Sequence, residues 1–461
     1  MVNLLPAVVI DNGTSSTRAG FALEDLPSLV FNSSYLVDEN NKVLVGDKIN
    51  SRPDLEVMTL VDNGIVYNYD HVASNWEYVY ENLDSGNGVD AKDHPLMMTE
   101  QTWNTPKNKA AAAQIAFEGL QVPLFSLLKS PLAQLYHTGR LSGLVIDIGA
   151  GVASVTPILD GVIQQKLCFH SKYAGDFASL HALRSIEAKL GYQPSQLDNS
   201  RLLPPQYTAD NVSQSFKLYH ATHNLLQNFK ETMLSVSEPP PGITAPNSYY
   251  TQVHQLPPFF QLPDRTQINY SERETSTLLE ALFVPHVYKL PDVPIPDPAF
   301  DKAHTHGISN LVLFALKNLE STMVPAGNDP ATSNSNARFN EVLRTLFTNT
   351  LITGGGALLS GFSDRLCGDI SRTAPTVLPN YMITSQYKIY ISPLRNYPLG
   401  DIHDLYDKKF GSWLGAANLA SMLNDAVEDE NGSANIALDN WFISKADYEE
   451  LGEDLILEKF K

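Results

Sequence analysis

The stretch VVIDNGT at residues 8–14 decides the fold, because its form recurs as LVIDIGA at residues 144–150. Each copy is a short apolar run that predicts a buried strand, followed by Asp-x-Gly and by residues that lead into a second strand. Glycine at the turn lets backbone N–H groups approach an anion closely, so each hairpin can form a phosphate-binding nest. Taken alone, each copy is equally compatible with an ordinary capped β-turn.

A third glycine-rich element, ITGGGAL at residues 352–358, places its glycines between a predicted strand and a predicted helix N-terminus. Such a terminus also favours negative charge. Mg²⁺ is usually held by one or two carboxylates, by waters and by phosphate oxygens, and the hairpins supply Asp11 and Asp147. The order of the three elements therefore predicts a site for a phosphate chain with Mg²⁺.

Strand-like runs, at residues 7–10, 144–148 and 350–352, alternate with longer helix-like runs, at residues 107–120 and 308–319. This order along the 461 residues predicts an α/β protein of two or three domains. Four segments break this alternation through proline, polar residues or acidic residues, and we interpret them as surface loops or insertions. They are residues 237–263, 290–299, 326–337 and 424–435.

The composition excludes several classes of function. The net charge of −19 would repel a phosphate backbone, so we expect no direct nucleic-acid binding. No apolar run approaches the length of a membrane span. The two cysteines, Cys168 and Cys367, form neither a disulfide framework nor a metal-ligand cluster, as expected for a reducing compartment.

Further motifs follow one another in a fixed order along nearly the whole chain. They are AGF at 19–21, GIVYNYD at 64–70, MTE at 98–100, YHTGR at 136–140, GD at 175–176, FKE at 229–231, ALFVP at 281–285, GGG at 354–356 and WLGA at 413–416. Together with the two hairpins, these motifs resemble the actin superfamily, and within it actin and its relatives. The resemblance implies an actin-like, two-lobed ATPase fold, in which each lobe is a mixed sheet flanked by helices and the nucleotide lies between the lobes.

The resemblance also implies the domain boundaries. The first lobe would comprise residues 1–137 and 400–461, with a small subdomain at about 32–61. The second lobe would comprise residues 138–399, with a small subdomain at about 178–300.

By the same resemblance the cofactor would be ATP with Mg²⁺, the metal being held through Asp11 and Asp147. The residues that would approach the nucleotide are Asp11, Gly13, Thr14, Arg18, Asp147, Gly149, Gly151, Lys230, Glu231, Gly354, Gly355 and Gly356. Of these, Lys230 and Glu231 would lie near the adenosine and the remainder near the phosphates. The alternative is that the turns serve only to fold the two lobes and that the site is empty.

Three departures from actin fall on the hydrolytic side. Ser130 stands where actin has the glutamine that orients the attacking water, Ala150 where it has an aspartate, and Ser154 where it has a histidine. The serine reaches about 2.5 Å less far than a glutamine. Losing water positioning and proton handling costs a factor of about 10² to 10⁴ in rate. We therefore predict no catalytic residues and no hydrolysis, while Arg18, in place of a lysine, keeps the positive charge.

Residues 31–61 are shorter than the matching segment of actin and reach their tip in the polar turn 38–41, which argues against head-to-tail filaments. The stretches 155–161, 229–238 and 441–448 resemble the fungal actin-related protein seven subfamily of the SWI/SNF and RSC chromatin remodellers. This implies a nuclear structural subunit that pairs with a second actin-related protein. It would bind the long basic helix beside the helicase/SANT-associated region of the remodeller ATPase. The alternatives are a nucleotide-hydrolysing ATPase of the same fold and a cytoskeletal actin-related protein.

The resemblance further predicts an apolar groove that could seat the partner, formed by Tyr136, Trp413, Leu414 and Leu419. Near the end of the chain, Ser444 followed by Asp447 predicts the capped start of a terminal helix.

Overall fold

The computed structural model describes residues 5–196, 199–207, 211–237, 259–296, 303–325, 330–381, 402–424 and 432–461. The chain forms two compact units: unit 1 is Met1–Leu141 with Leu394–Lys461, and unit 2 is Ser142–Pro393. The lobe boundaries that the resemblance implies stay a prediction.

The described strands and helices alternate in the order expected of an α/β protein. The strands are β1 Val8–Asn12, β2 Ser16–Phe21, β3 Leu29–Asn32, β4 Ser34–Val37, β5 Val43–Val45, β6 Met58–Thr59, β7 Val61–Asp62, β8 Ile65–Val66, β9 Leu96–Glu100, β10 Leu124–Lys129, β11 Gly143–Ile148, β12 Ala153–Leu159, β13 Val162–Ile163, β14 Phe169–Ser171, β15 Phe259–Gln261, β16 Gln267–Asn269, β17 Thr350–Thr353 and β18 Ile443–Ser444. The helices are α1 Tyr69–Asn82, α2 Pro106–Gln114, α3 Ser130–His137, α4 Gly175–Lys189, α5 Gln214–His220, α6 Gln227–Met233, α7 Glu272–Phe283, α8 Ile308–Met323, α9 Pro330–Thr348, α10 Phe362–Val377, α11 Ile402–Ser421, α12 Ser433–Trp441, α13 Lys445–Leu451 and α14 Glu453–Lys459.

Unit 1 is built on a six-stranded sheet in the order β18-β10-β9-β1-β2-β3. Side chains alternate across a strand, so Val8 and Ile10 enter the core cluster on one face of the sheet and Val9 enters the cluster on the other. Helices α1, α2, α13 and α14 contribute to the first cluster, and α3 and α11 to the second. As predicted, Ser444 caps α13, its hydroxyl accepting from the amide of Asp447 over 3.1 Å.

Unit 2 is built on a sheet in the order β13-β12-β11-β17, with β14 paired to β12. Strand β11 runs antiparallel to β12 and parallel to β17, just as β1 runs antiparallel to β2 and parallel to β9 in unit 1. The repeat in the sequence is therefore a repeat of topology. The predicted strands at 7–10, 144–148 and 350–352 and the predicted helix at 308–319 are confirmed.

Two of the segments that were predicted as loops from their polar or proline-rich composition contain regular secondary structure. Residues 330–337 begin α9 rather than a loop, and residues 259–261 form β15, although both were predicted as irregular. Proline is well accommodated at the start of a helix, and Pro330 is followed by a run whose apolar residues Phe339, Leu343 and Leu346 are fully buried. Residues 238–258, 326–329 and 425–431 lie outside the described residues.

The polar turn at residues 38–41 closes a hairpin between β4 and β5. Asp38 Oδ1 accepts from the amides of Asn40 and Lys42 over 2.9 and 2.8 Å, which fixes the turn locally. Arg52 holds the adjacent Glu39 through a 2.6 Å ion pair and also bonds Asp54. None of the helices in the described part of the chain is long and apolar enough to cross a membrane.

Candidate functional site

The first hairpin, between β1 and β2, gathers a polar network around Asp11. Asp11 and Arg18 are opposite each other in the strand register, and Arg18 Nη1 donates to Asp11 Oδ2 over 2.7 Å. The hydroxyl of Thr99 on β9 donates to the other oxygen, Oδ1, over 2.5 Å. The carboxylate is therefore satisfied by unit 1 itself, which is why it tolerates almost complete burial.

The turn of this hairpin is tight. The amide of Gly13 donates to the carbonyl of Ser16 over 3.1 Å, and a Cβ on Gly13 would lie 2.9 Å from that carbonyl oxygen and 3.3 Å from Arg18 Nη1. Thr14, the next residue, lies in the turn and is half-buried. Arg18 Nε is buried and has no acceptor among the residues that the structure describes, so the guanidinium retains one donor for a further acceptor such as a phosphate oxygen.

The second hairpin, between β11 and β12, is held against the glycine-rich turn after β17. Asp147 lies opposite Ser154 on β12 and beside Thr353 on β17 in the register. Gly354 has φ +89° and ψ 163°, and a Cβ on it would clash with Asp147 Oδ1 and with the carbonyl oxygen of Ile148. Only glycine allows the chain to pass so close to Asp147 in this backbone conformation.

The remaining glycines of unit 2 differ in their surroundings. The Gly149 amide donates to the Val152 carbonyl over 2.9 Å and closes the turn that contains Gly151. A Cβ on Gly356 would meet Ile148, whereas no heavy atom lies within 4 Å of a Cβ on Gly355, which faces open space. The glycines introduce a one-turn 3₁₀ helix, Gly355–Leu358, instead of the longer helix that the sequence predicts at this point.

The structure brings Lys230 to the same hairpin through the N-terminus of α4. Gly175 donates its amide to the carbonyl of Gly149 over 3.1 Å, and Lys230 Nζ donates to the carbonyl of Gly175 over 3.3 Å. Burial lowers the pKa of Lys230, and the charges of Asp176 and Glu231 oppose that shift. The Glu231 side chain is exposed and accepts from Gln227 Nε2 over 2.5 Å, so it is oriented along the surface of α6.

Ser130 has a local partner in unit 1. It lies at the start of α3 with 3% of its surface exposed, and its hydroxyl donates to the carbonyl of Glu100 over 3.2 Å. Its neighbour Lys129, which the sequence reasoning missed, is buried and bonds Glu100 Oε1 over 2.5 Å. Lys109 reaches the same oxygen at 3.7 Å, so one buried carboxylate serves two lysines. The sequence did contain a signal for a buried lysine, because Lys129 ends the otherwise mostly apolar strand LFSLLK.

Positions 150 and 154 offer no replacement for the missing aspartate and histidine. Ala150 supplies only backbone, its carbonyl accepting from the amide of Asp176 over 2.7 Å. Ser154 is buried and lies between Asp147 and His170 in the strand register. Burial lowers the pKa of His170, with smaller contributions from His304 and Lys172, so that imidazole is a poor proton carrier near neutral pH.

The residues fit a nucleotide phosphate better than they fit a directly bound metal. Arg18 Nε and the open space at Gly355 suit phosphate oxygens, each within its own unit. Within the described ranges, no three His, Cys, Asp or Glu side chains gather closely enough to hold a metal ion. Mg²⁺ would therefore bind through water and phosphate, as it commonly does, and would neutralise phosphate charge. Both oxygens of Asp11 already accept hydrogen bonds, from Arg18 and Thr99.

The predicted partner groove is wrong in two of its four residues. Trp413 is fully buried and donates Nε1 to the carbonyl of Val9 over 3.1 Å, and Leu414 is 8% exposed within the same core cluster. The cause is the close approach of α11 to α3, where a Cβ on Gly415 would overlap the carbonyl of Ala133. Tyr136 and Leu419 are each partly exposed.

Comparison with known proteins agrees with the geometry. The actin family model matches residues 3–461. Actin-related protein 4 of Yarrowia lipolytica is 30% identical over an alignment that covers 98% of this chain and 95% of the relative. Actin-related protein 7 of Saccharomyces cerevisiae is 27% identical, with 97% and 96% covered, and actin-related protein 4 of Arabidopsis thaliana is 22% identical, with 98% of each covered. The predicted fold class and the resemblance to actin-related proteins are confirmed. The chain belongs to the actin family.

Proposed function

We propose that this protein is a structural actin-related subunit of a nuclear, ATP-dependent chromatin-remodelling complex. In this role it binds nucleotide at most, without turning it over, and joins the helical segment of the motor to a second actin-related protein. The observation that carries the proposal is the combination of an actin-family match over the whole chain with the loss of side chains that hydrolysis needs.

The loss on the hydrolytic side has structural support in unit 1. A water-orienting side chain must project from the start of α3, but the Ser130 hydroxyl is short, buried and bonded to the Glu100 carbonyl. The adjacent Lys129 is buried as well and donates to Glu100 Oε1. We expect the protein to bind a nucleotide although it does not hydrolyse it, because Arg18 and the glycine-rich turns remain.

The partners are inferred from charge and from the turn at residues 38–41. An excess of 19 negative charges favours a basic helix as the binding partner and would speed its association. The β4–β5 hairpin has its turn bonded internally by Asp38, with Glu39 held by Arg52, and offers no extended apolar loop to a neighbouring copy. A fixed complex agrees with these features better than a filament does.

The test is purification of the endogenous protein under mild salt, followed by quantitative mass spectrometry of its partners. We expect a second actin-related protein and a remodeller ATPase at nearly equal molar amounts. Truncating the basic helix of that ATPase should release both actin-related chains together. Recovery of the protein with cytoskeletal filaments, or as a lone chain at every salt concentration, would contradict the proposal.

A further inference from the structure

Helices α13 and α14 give unit 1 a strongly acidic surface. Six carboxylates lie within residues 445–459, and all of them are exposed. They are Asp447, Glu449, Glu450, Glu453, Asp454 and Glu458. Glu118, in the π-helical turn Ile115–Gly119, adds a further carboxylate, since Tyr448 Oη donates to its Oε1 over 3.2 Å. Burial raises the pKa of Tyr448, and the charges of Glu118 and Glu453 raise it further, which places both carboxylates near this phenol.

Most of these carboxylates have no bonding partner among the described residues. Asp447 accepts from the Ser444 hydroxyl over 2.6 Å and so helps to cap α13. The five that form neither an ion pair nor a hydrogen bond with another described residue are Glu449, Glu450, Glu453, Asp454 and Glu458. Lys459 does not neutralise them, because its ammonium donates to the carbonyl of Asp439 over 2.5 Å. The surface therefore keeps its negative charge until a partner supplies cations.

Two of the carboxylates lie where they oppose the helix that carries them. Glu449 and Glu450 are in the last turn of α13, next to the negative end of the helix dipole, and no basic residue in that turn offsets them. Glu453 and Asp454, in contrast, are in the first turn of α14, where negative charge is favourable. Side chains that work against their own secondary structure are most often found at functional sites.

An exposed leucine lies between the two groups of carboxylates. Leu451 ends α13 and is 57% exposed, and Glu450 and Glu453 stand on either side of it in the chain. A single exposed leucine is common on protein surfaces, so it gains significance here only through the carboxylates around it. An apolar side chain within a charged rim is the usual arrangement of a small recognition surface.

We propose that this surface of α13 and α14 binds a basic amphipathic helix of the remodeller ATPase. The apolar stripe of that helix would cover Leu451, and its Lys and Arg side chains would pair with Glu449 and Glu450. Nucleic acid, an anionic membrane and a second copy of this chain would all bring more negative charge to the surface. This inference rests on the proposed function, and it assigns a binding surface to the basic helix of the motor.

The first test maps the partner directly by photo-crosslinking in cells. Benzoylphenylalanine replaces Leu451 in the full-length chain, and mass spectrometry identifies the crosslinked peptide. We expect a Lys/Arg-rich segment of the remodeller ATPase that has apolar residues at helical spacing. The matched control replaces Leu218 in the same way, because this leucine is 47% exposed on α5 and follows a lysine, Lys217, instead of a carboxylate. The control should not crosslink to that segment.

The second test removes the surface by substitution. The triple variant Glu449→Gln, Glu450→Gln, Leu451→Ser should recover at least about tenfold less remodeller ATPase in a pull-down, as expected for loss of an apolar anchor with its charged neighbours. Its melting temperature should be no lower than that of the wild type, because the two glutamates oppose the dipole of α13. The control variant Glu341→Gln, Asp364→Asn, Leu218→Ser makes the same chemical changes at exposed positions of unit 2 and should keep full recovery.

A crosslink from position 451 to an acidic segment, to nucleic acid or to a second copy would overturn the inference. Full recovery of the ATPase by the triple variant would overturn it too, and so would a lower melting temperature, which would give these side chains a structural role. Co-purification of the ATPase with a crosslink to some other segment would refute this surface and leave the proposed function standing. A crosslink to a basic amphipathic helix of a protein outside any remodeller would support the surface and refute the proposed function.

Discussion

Replacing Gly354 by alanine perturbs the candidate site at the point where the glycine-rich turn passes Asp147. The backbone at φ +89° and ψ 163° lies in a region that is essentially reserved for glycine, which costs about 1–3 kcal/mol for another residue. The added Cβ would also clash with Asp147 Oδ1 and lie 2.7 Å from the Ile148 carbonyl carbon. Overpacking of this kind costs typically 1–3 kcal/mol. The two contributions together predict a loss of about 2–6 kcal/mol.

Gly355→Ala is the matched control, one residue along the same turn. Its φ is not positive, and no heavy atom lies within 4 Å of the added Cβ. We expect it to stay within about 0.5 kcal/mol of the wild type. Urea and thermal unfolding of the purified full-length chains measure both changes, with Gly354→Ala lowering the melting temperature by roughly 4 °C or more. A Gly354→Ala chain as stable as Gly355→Ala would refute the reasoning.

Three other outcomes follow from the described contacts. Arg365→Met should lower the free energy of unfolding by about 3–5 kcal/mol, because it leaves the Glu280 carboxylate, 1% exposed, without its guanidinium partner. Adding Glu280→Leu should recover most of the lost stability, as measured by urea unfolding. A double variant as unstable as the single one would contradict this expectation. Burial lowers the pKa of His181 to about 4, below its unfolded value, so its contribution to stability is present above pH 6.5 and is lost as the pH falls towards 4. His181→Leu should reduce the slope of the unfolding free energy against pH over that window by up to about 1.4 kcal/mol per pH unit. A slope equal to that of the wild type would contradict the role given to His181. The isolated chain should release phosphate from ATP at a negligible rate. Ser130→Gln alone should not restore hydrolysis, because Ala150 and Ser154 would still stand where actin has an aspartate and a histidine. Phosphate release at the rate of actin filaments would contradict this expectation.

The hairpins could be predicted from the sequence because their signal is local. A buried strand, Asp-x-Gly and a second strand occupy about fifteen consecutive residues, and the same local pattern appears twice, at Asp11 and Asp147. The pairing of β1 with β9, or of β11 with β17, joins strands that are far apart in the chain. No residue pattern within either strand specifies that partner, so the parallel pairs became visible only in the structure.

The face that a helix presents is harder to predict than the helix itself. The motif WLGA at 413–416 lies on α11 as expected, but the sequence did not show that Gly415 lets this helix approach the Ala133 carbonyl. That approach turns Trp413 into the core, where its indole bonds the Val9 carbonyl. The predicted groove failed for this reason, and the Tyr136→Asp, Leu414→Asp double variant that would test it is expected to unfold the chain.

The hairpins themselves cannot show whether a nucleotide binds, because the fold already uses them. Asp11 is satisfied by Arg18 and Thr99, and Gly354 is required for the backbone to pass Asp147. Those residues would be needed in a chain that never met ATP. A ligand is therefore better inferred from groups that the fold does not use. In the described part of unit 1, Arg18 Nε is such a group, since it is buried without an acceptor among those residues, and an unsatisfied buried donor lowers stability.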